Sequence, residues 1–423
     1  MTPSPSVHAT RPRVVMVSTR QLDGEPMAGR LRVAHAIRAS LDAATDLKVL
    51  RLPSALTDLT LNRLLECALS WVFSLLRGRP LPLQCALFAS WTDHRHLLAQ
   101  VPEDAVSLYA DGVRTYSLVR YLRKHRPQLR IIVDLDDLMS RRMSLLLQAS
   151  QPLSPGYLTK RLPPFLLRIA MSPQFGRMIV RHEQATLAQV ERDLARIADA
   201  LVLLSAEDAR IMIDQCAADR RARVEVIPPP SEPVAPIASL KPPVRFVFIG
   251  SDALTQNRLT IDYLIDLWGR AKITKPLVFY GLWGRDIPLP PEISAVGYVE
   301  DLKDVYDGHS VLLTPSLIGG GVKTKVLEAF AYGASVIGNA ITFESMDIGD
   351  YPLQIDDEAE LVKLIRAPAE QMSRFAVAAQ AGVNYVAQFH DPLVFSQRWL
   401  NLMAPELQST DATDQAAAPA GAH

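Results

Sequence analysis

The feature that most constrains the fold is a regular alternation of strand and helix patterns, broken once by a proline-rich segment. Residues 228–243 read PPPSEPVAPIASLKPP, with seven prolines among sixteen positions. Because proline fixes φ and lacks a backbone donor, this segment predicts an extended connector. Alternating elements on both sides predict right-handed βαβ units with parallel sheets. We therefore expect an α/β chain of two doubly wound, Rossmann-like domains with a cleft between them.

Apolar segments predict the strands of the first domain, and helical periodicity separates them. The predicted strands are residues 14–18, 48–52, 106–110, 130–135 and 200–205, and the clearest helices are residues 30–41, 113–125 and 183–198. A second alternating set occupies residues 244–339, followed by helical patterns up to residue 402. The predicted organisation is an N-terminal domain (1–229), a linker (230–243), a C-terminal domain (244–390), a helix crossing back to the N-terminal domain (391–403) and a disordered alanine-rich tail (404–423).

Composition narrows the class of protein. A chain of 423 residues exceeds one typical core, and a formal net charge of zero argues against nucleic acid as a partner. Three scattered cysteines form no metal-like pair, which favours reduced thiols in a cytoplasm. The start MTPSPSVHATRPR lacks the apolar stretch of a secretory signal. The longest apolar run, residues 64–76, is too short to span a bilayer, and we expect it to be core.

The run TPSLIGGGVKTKVLEAFAYGASVIGN, residues 314–339, carries the strongest functional signal. A buried strand is predicted to end just before Gly319, Gly320 and Gly321, and a helical apolar period starts at Val322. A glycine turn that opens a helix directs backbone N–H groups and the positive helix end at one point. This arrangement suits an anion, above all a phosphate.

Three charged side chains extend this pattern. Lys323 and Lys325 are predicted in the first helical turn, where cations oppose the helix dipole and an anionic ligand would compensate them. Glu328 follows one to two turns later, and its carboxylate can accept two hydrogen bonds from a vicinal diol such as a ribose. Each residue alone also suits a solvated helix start, whereas their order together indicates a nucleotide site.

The same run resembles the donor loop of GT-B glycosyltransferases, in particular the large retaining group called family 4. That group has a Glu-x7-Glu motif, and Glu328 matches the second glutamate, which holds the nucleotide ribose. The first glutamate would fall at position 320, where this chain has Gly320. The departure, shared by a subset with a glycine-rich turn, leaves open how the donor sugar is held. The resemblance implies that the donor is a nucleoside diphosphate sugar and that the reaction requires no cofactor.

Weaker similarities extend the resemblance to about residues 13–400. Gly250 and Asn257 lie in VRFVFIGSDALTQNRLT, which is similar to the opening of the family's C-terminal domain. Gly29 precedes a predicted helix, with Arg30 and Arg32 in its first turn. Family members place a glycine-rich loop here, against the donor phosphates and the acceptor. Solvated arginines at an ordinary helix start are the alternative.

Acidic residues at strand ends supply the remaining candidates. Asp134, Asp136 and Asp137 form DLDD at a predicted strand end, and Asp111 ends the preceding strand. By position, Asp136 and Asp137 resemble the family's cleft-facing His-Asp, although Asp137 also suits a helix cap. Asp134 and Asp136 match the metal-binding Asp-x-Asp of GT-A enzymes, but nothing else resembles that class and we expect no metal. Lys323, Lys325, Asp136 and Asp111 are the predicted catalytic residues.

Residues 138–182 contain seven lysines and arginines and no acid, mixed with apolar residues. This pattern suits an anionic membrane surface or a lipid pyrophosphate, and equally a helical excursion with solvated arginines. The sequence thus predicts a cytoplasmic glycosyltransferase that is peripheral at the inner face of the membrane. It is expected to move a hexose from a nucleotide sugar to a lipid-linked saccharide acceptor in surface polysaccharide assembly. The alternatives are a nucleotide-sugar epimerase, a sugar-phosphate synthase, or a catalytically silent binding partner of the same fold.

Overall fold

A computed structural model describes residues 11–22, 29–148, 173–216, 220–234, 240–252, 254–285 and 287–407. The chain before the proline-rich segment forms one sheet, and the chain after it forms another. The strands of the first sheet are β1 (Arg13–Ser18), β2 (Asp46–Arg51), β3 (Ser107–Asp111), β4 (Arg130–Asp136), β5 (Ala200–Leu203) and β6 (Arg223–Val226). They are all parallel, in the order β2-β1-β3-β4-β5-β6.

Helices connect these strands on both faces of the sheet. The described ones are α1 (Arg30–Ala44), α2 (Leu61–Leu76), α3 (Leu83–Ala86), α4 (Trp91–Gln100), α5 (Tyr116–His125), α6 (Met139–Gln148), α7 (Pro173–Ile197) and α8 (Ala206–Gln215). One face of the sheet packs against α5 and α7, and the other against α1. The central strands β1, β3, β4 and β5 are buried on both faces, which explains their near-continuous hydrophobic pattern.

The second sheet is also entirely parallel, in the order β11-β10-β7-β8-β9. Its strands are β7 (Arg245–Ile249), β8 (Leu277–Tyr280), β9 (Ile293–Gly297), β10 (Ser310–Leu313) and β11 (Val336–Ile337). Its helices are α9 (Thr255–Arg270), α10 (Thr324–Ala331), α11 (Ala340–Phe343), α12 (Glu358–Arg366) and α13 (Met372–Phe389). The strand order reverses between β7 and β10, and ligands bind at such switch points in open sheets.

The last described helix, α14 (Pro392–Met403), packs on the first sheet and not the second. The Trp399 ring lies 5.5 Å from the ring of Tyr109 and is 1% exposed. The Ser107 hydroxyl donates to the Met403 carbonyl at 2.6 Å. The chain therefore crosses between the two halves a second time before residue 404.

The α/β class with two parallel sheets is confirmed, and every strand predicted for the first domain is found within two residues of its expected bounds. The strand before the glycine turn ends at Leu313, earlier than predicted. The expectation that residues 64–76 are core is wrong, because α2 lies on the surface and most of its apolar side chains are exposed. Among the described helices, none is long and apolar enough to cross a bilayer. The alanine-rich tail from residue 408 and residues 149–172 of the acid-free stretch lie outside the described residues.

Candidate functional site

The glycine turn follows β10 and lies at the switch point of the second sheet. Gly320 and Gly321 adopt φ values of 98° and 66°, which residues with a side chain rarely reach. The helix begins later than predicted: α10 starts at Thr324, Lys323 is its N-cap, and Val322 packs against the domain core before the helix. Only Lys325 of the two lysines therefore lies in the first turn.

Lys325 is buried among groups from two other elements. Its Nζ donates to Oδ1 of Asn257 at 2.9 Å and lies 4.0 Å from the ring centroid of Phe248. Asn257 in turn packs on Gly250, where an added Cβ would lie 2.6 Å from the amide nitrogen. Burial lowers the pKa of Lys325 to about 7, although Glu328 acts in the opposite direction. The structure thus brings Gly250, Asn257 and Lys325 together.

Lys323 points back over the glycine turn. Its Nζ donates to the Gly320 carbonyl at 3.0 Å and lies 3.6 Å from Oε1 of Glu344. Burial lowers the pKa of Lys323, and the nearby Glu344 carboxylate partly opposes that effect. Both lysines therefore have depressed pKa values, which an anion beside them would raise.

Glu328 faces the other domain. Its Oε1 lies 2.5 Å from Nη1 of Arg32 in α1, and the Glu328 side chain is 22% exposed. Burial raises the pKa of Glu328, which Arg32 and Lys325 counteract. Arg32, in the first turn of the helix after Gly29, therefore contacts Glu328 across the cleft. An added Cβ on Gly29 would lie 3.8 Å from Oγ1 of Thr324, so the first glycine loop touches the start of α10.

Glu344 was not predicted from the sequence. It follows α11, and its carboxylate accepts a hydrogen bond from the amide of Gly320. An added Cβ on Gly319 would lie 2.6 Å from that carboxylate. Arg141 of the first domain approaches Oε2 of Glu344 at 3.4 Å. A carboxylate therefore reaches the turn at position 320, where the resemblance expected a glutamate in the loop itself.

The first domain meets this loop with the DLDD segment. Asp137 pairs with Arg142, and an added Cβ on Gly321 would lie 3.3 Å from both their side chains. Burial raises the pKa of Asp137, while Arg142 lowers it. Arg141 also binds Asp208 at 2.9 Å. Arg141 and Arg142 of the acid-free stretch are thus paired with carboxylates at the cleft.

Asp111 and Asp134 are buried around Arg30. Nη2 of Arg30 lies 2.5 Å from Asp134 and 3.4 Å from Asp111. Asp111 also accepts hydrogen bonds from Thr19 and Arg20. Burial alone would raise the pKa of Asp111, but Arg20 and Arg30 outweigh it and lower the pKa. Asp111 is therefore held inside a charged network, which suits a role in fixing Arg30.

Asp136 differs from its neighbours. Its φ of 70° places a residue other than glycine in the left-handed region, at a register shift between β4 and β5. The side chain is 28% exposed and lies 3.6 Å from Nη1 of Arg30. Backbone strain of this kind is often retained at functional sites. Among the described residues, no group of three His, Cys, Asp or Glu side chains could hold a metal ion.

Residues 243–369 match the family described as Glycosyl transferases group 1. No curated protein matches the chain. Among solved structures, sucrose-phosphate synthase from Thermosynechococcus elongatus is similar, with a TM-score of 0.62, 14% identity, and coverage of 94% of this chain and 100% of that one.

Two further structures show the same architecture. The Anabaena protein HepE in complex with UDP-glucose has a TM-score of 0.57 and 12% identity, with coverage of 94% of this chain and 99% of HepE. The lipopolysaccharide outer core galactosyltransferase WaaB has a TM-score of 0.53 and 12% identity, with coverage of 93% and 99%. At these identities the structures establish the fold, which is GT-B.

Proposed function

We propose that this chain, a glycosyltransferase of group 1 with the GT-B fold, moves a hexose from a nucleoside diphosphate sugar to a hydroxyl of a saccharide acceptor. The observation that carries the proposal is the meeting of Gly320, Lys323, Lys325 and Glu328 at the switch point of the second sheet, against Arg32 of the first domain. A diphosphate needs such amides and cations, and a ribose diol needs the carboxylate.

The reaction breaks the bond between the sugar C1 and a phosphate oxygen and forms a bond between C1 and the acceptor oxygen. Negative charge grows on the departing diphosphate. The start of α10, Lys323, Lys325 and the glycine-turn amides other than that of Gly320, which donates to Glu344, are suited to stabilise it. In a retaining reaction the acceptor proton passes to the leaving phosphate. In an inverting reaction a carboxylate base takes the proton, and of Asp136 and Asp111 the more exposed Asp136 is our choice.

Glu344 is the residue we assign to the donor sugar. A hexose carries vicinal hydroxyls that a carboxylate can bind in pairs. Glu344 already accepts a hydrogen bond from Gly320 beside Lys323, where the sugar of a donor would adjoin its diphosphate. This assignment supplies the carboxylate that the loop itself lacks at position 320.

The acceptor we propose is a growing, lipid-linked saccharide of surface polysaccharide assembly, met at the inner face of the membrane. The GT-B fold, shared with a lipopolysaccharide galactosyltransferase, supports this class. The similarity to sucrose-phosphate synthase keeps transfer to a sugar phosphate as the second candidate.

The test is incubation with a panel of nucleotide sugars, with detection of released nucleoside diphosphate. One arm adds a lipid acceptor fraction, a second adds sugar phosphates, and a third adds no acceptor. Release that requires the lipid fraction supports the proposal, and release that requires a sugar phosphate supports the synthase. Conversion of the donor to its epimer without release would identify an epimerase. Tight donor binding with no turnover in any arm would identify a silent binding partner.

A further inference from the structure

Helix α2 presents its apolar side to the solvent. Eight large apolar side chains of this helix are between 42% and 77% exposed: Leu61, Leu64, Leu65, Leu69, Val72, Phe73, Leu75 and Leu76. They recur at helical spacing over four turns and therefore form one continuous face. Contiguous apolar surface of this kind on a folded chain marks a site of interaction.

The polar side of α2 faces the protein and fixes this orientation. Nε of Arg63 donates to Asp93 at 2.6 Å, and Oε2 of Glu66 accepts from the Ser90 hydroxyl at 2.7 Å. The Ser70 hydroxyl donates to the Ala89 carbonyl at 2.9 Å. Turning the leucines inward would break all three contacts and leave charged groups without partners. The exposed face is thus a built feature of the domain.

Cations border this face at its C-terminal end. Arg77 and Arg79 follow α2, and the Arg77 guanidinium lies 6.0 Å from the ring centroid of Phe73. With Arg120 and Lys124 of α5, both arginines also line a groove of about 670 Å³ on the Ser70 and Ser74 side of the helix. Among the described residues that line this groove, none is Asp or Glu. A helix with one apolar face and adjoining arginines has the character of helices that lie in the plane of a bilayer interface. The positive border selects an anionic lipid surface over a neutral one.

We propose that the apolar face of α2 inserts into the headgroup boundary of an anionic bilayer, with Arg77 and Arg79 at the lipid phosphates. The proposal deepens the proposed function, because it would hold the protein beside a lipid-linked acceptor. Docking itself does not depend on the reaction, so it can fail while donor binding survives, and the reverse. It also moves the membrane contact away from Arg141 and Arg142, which are engaged at the cleft.

The experiment is co-sedimentation of the full chain with phosphatidylcholine vesicles, with and without phosphatidylglycerol. Wild type should bind only the anionic vesicles, and less at high salt. Leu65→Gln/Leu69→Gln/Phe73→Gln should weaken binding roughly a hundredfold, at about fivefold for each half-exposed side chain. Arg77→Gln/Arg79→Gln should weaken it roughly thirtyfold, at about fivefold for each cation.

The matched control is Leu393→Gln/Val394→Gln, which removes exposed apolar side chains from α14 and should leave binding unchanged. Thermal unfolding checks that the variants fold. The proposal is overturned if the wild-type protein does not bind anionic vesicles. It is also overturned if the folded triple variant binds them as tightly as the wild type does. Sedimentation without lipid tests whether a second copy of the chain covers this face instead. If the wild type is a dimer and the triple variant is a monomer, the face is a dimer interface.

Discussion

Lys325 is a cation whose surroundings disfavour its charge. It is buried beside Phe248 and Asn257, and its pKa falls to about 7. At pH 8 the amine is therefore mostly neutral before a ligand binds. A diphosphate placed beside it would favour the protonated form and raise the pKa again. Binding of an anion beside Lys325 would thus be coupled to uptake of a proton.

We predict that nucleoside diphosphate binding takes up protons between about pH 7 and pH 9, and that affinity falls as the pH rises through this range. The sign follows because the ligand prefers protonated Lys325, which becomes scarcer above its pKa of about 7. Calorimetry at pH 8 in buffers of different ionisation enthalpy measures the uptake. Lys325→Met should abolish most of it. Equal uptake by wild type and Lys325→Met would assign the proton to another group.

A variant of Glu344 should distinguish binding of the donor sugar from binding of the nucleotide. Glu344→Ala should weaken binding of the intact nucleotide sugar by about 1.5–3 kcal/mol, the usual contribution of hydrogen bonds to a charged group. Affinity for the nucleoside diphosphate alone should not fall, because the lost carboxylate lies 3.6 Å from Lys323 and would repel a phosphate there. Glu370→Ala, which removes an exposed carboxylate from the same domain, is the control. If the variant instead binds both ligands more tightly, Glu344 occupies the anion position and does not hold the sugar.

At the scale of elements, α14 belongs structurally to the first domain although it follows the second in sequence. Trp399 packs between Tyr109 and Phe395, and the Ser40 hydroxyl lies 2.8 Å from the Ser396 hydroxyl. Most of the apolar side chains that α14 buries lie against β1, β3 and α1. Loss of this helix should therefore destabilise the first domain more than the second.

Trp399→Ala should lower the free energy of unfolding of the first domain by about 3–5 kcal/mol, because it removes a large buried ring. Chemical denaturation measures the loss, and amide exchange should show faster opening of α1 and β1 than of α9 and β7. Leu393→Ala, on the exposed side of the same helix, should cost little. Uniform loosening of both domains would mean that α14 stabilises the whole molecule.

The elements predicted well are those with local signals. The central strands of both sheets have apolar runs, and Gly320 and Gly321 have the positive φ that a glycine turn requires. Helix α2 was misjudged because an apolar run was equated with burial. The contacts of Arg63 and Glu66 that turn its leucines outward involve residues 24 to 30 positions away. Sequence periodicity gives the faces of a helix, but not which face meets the protein.

The residues of the candidate site also divide into those with a local sequence signal and those brought in by tertiary contacts. Gly250, Asn257, Lys325 and Glu328 were predicted, and the structure brings them into one region. Glu344 was missed because it reaches the turn only through tertiary packing, 24 residues from Gly320. The Arg32 to Glu328 pair joins positions 296 residues apart, so no local pattern reveals it. The burial of Asp111 with Arg20 and Arg30 likewise depends on the adjacency of β1 and β3.

At the scale of the whole molecule, the two sheets meet through charged contacts at one cleft. Arg32 pairs with Glu328, Arg141 with Glu344, and the Asp137–Arg142 pair lies against Gly321. Each of these contacts joins the first domain to the predicted donor loop or to Glu344 beside it. We propose that residues 230–243 are the linker across which the domains adjust, since β6 ends at Val226 and β7 begins at Arg245. A bound donor would then replace Arg32 on Glu328 with its ribose.

The most direct measurement of the central claim is calorimetric titration of wild type and Glu328→Ala with the diphosphates of uridine, guanosine and adenosine. Wild type should bind at least one of them, and Glu328→Ala should bind it about 1.5–3 kcal/mol more weakly, because the ribose loses its hydrogen bonds to a charged group. Glu370→Ala should bind as wild type does. A folded Glu328→Ala protein that binds the nucleotide with wild-type affinity would contradict the assignment of this cleft as the donor site.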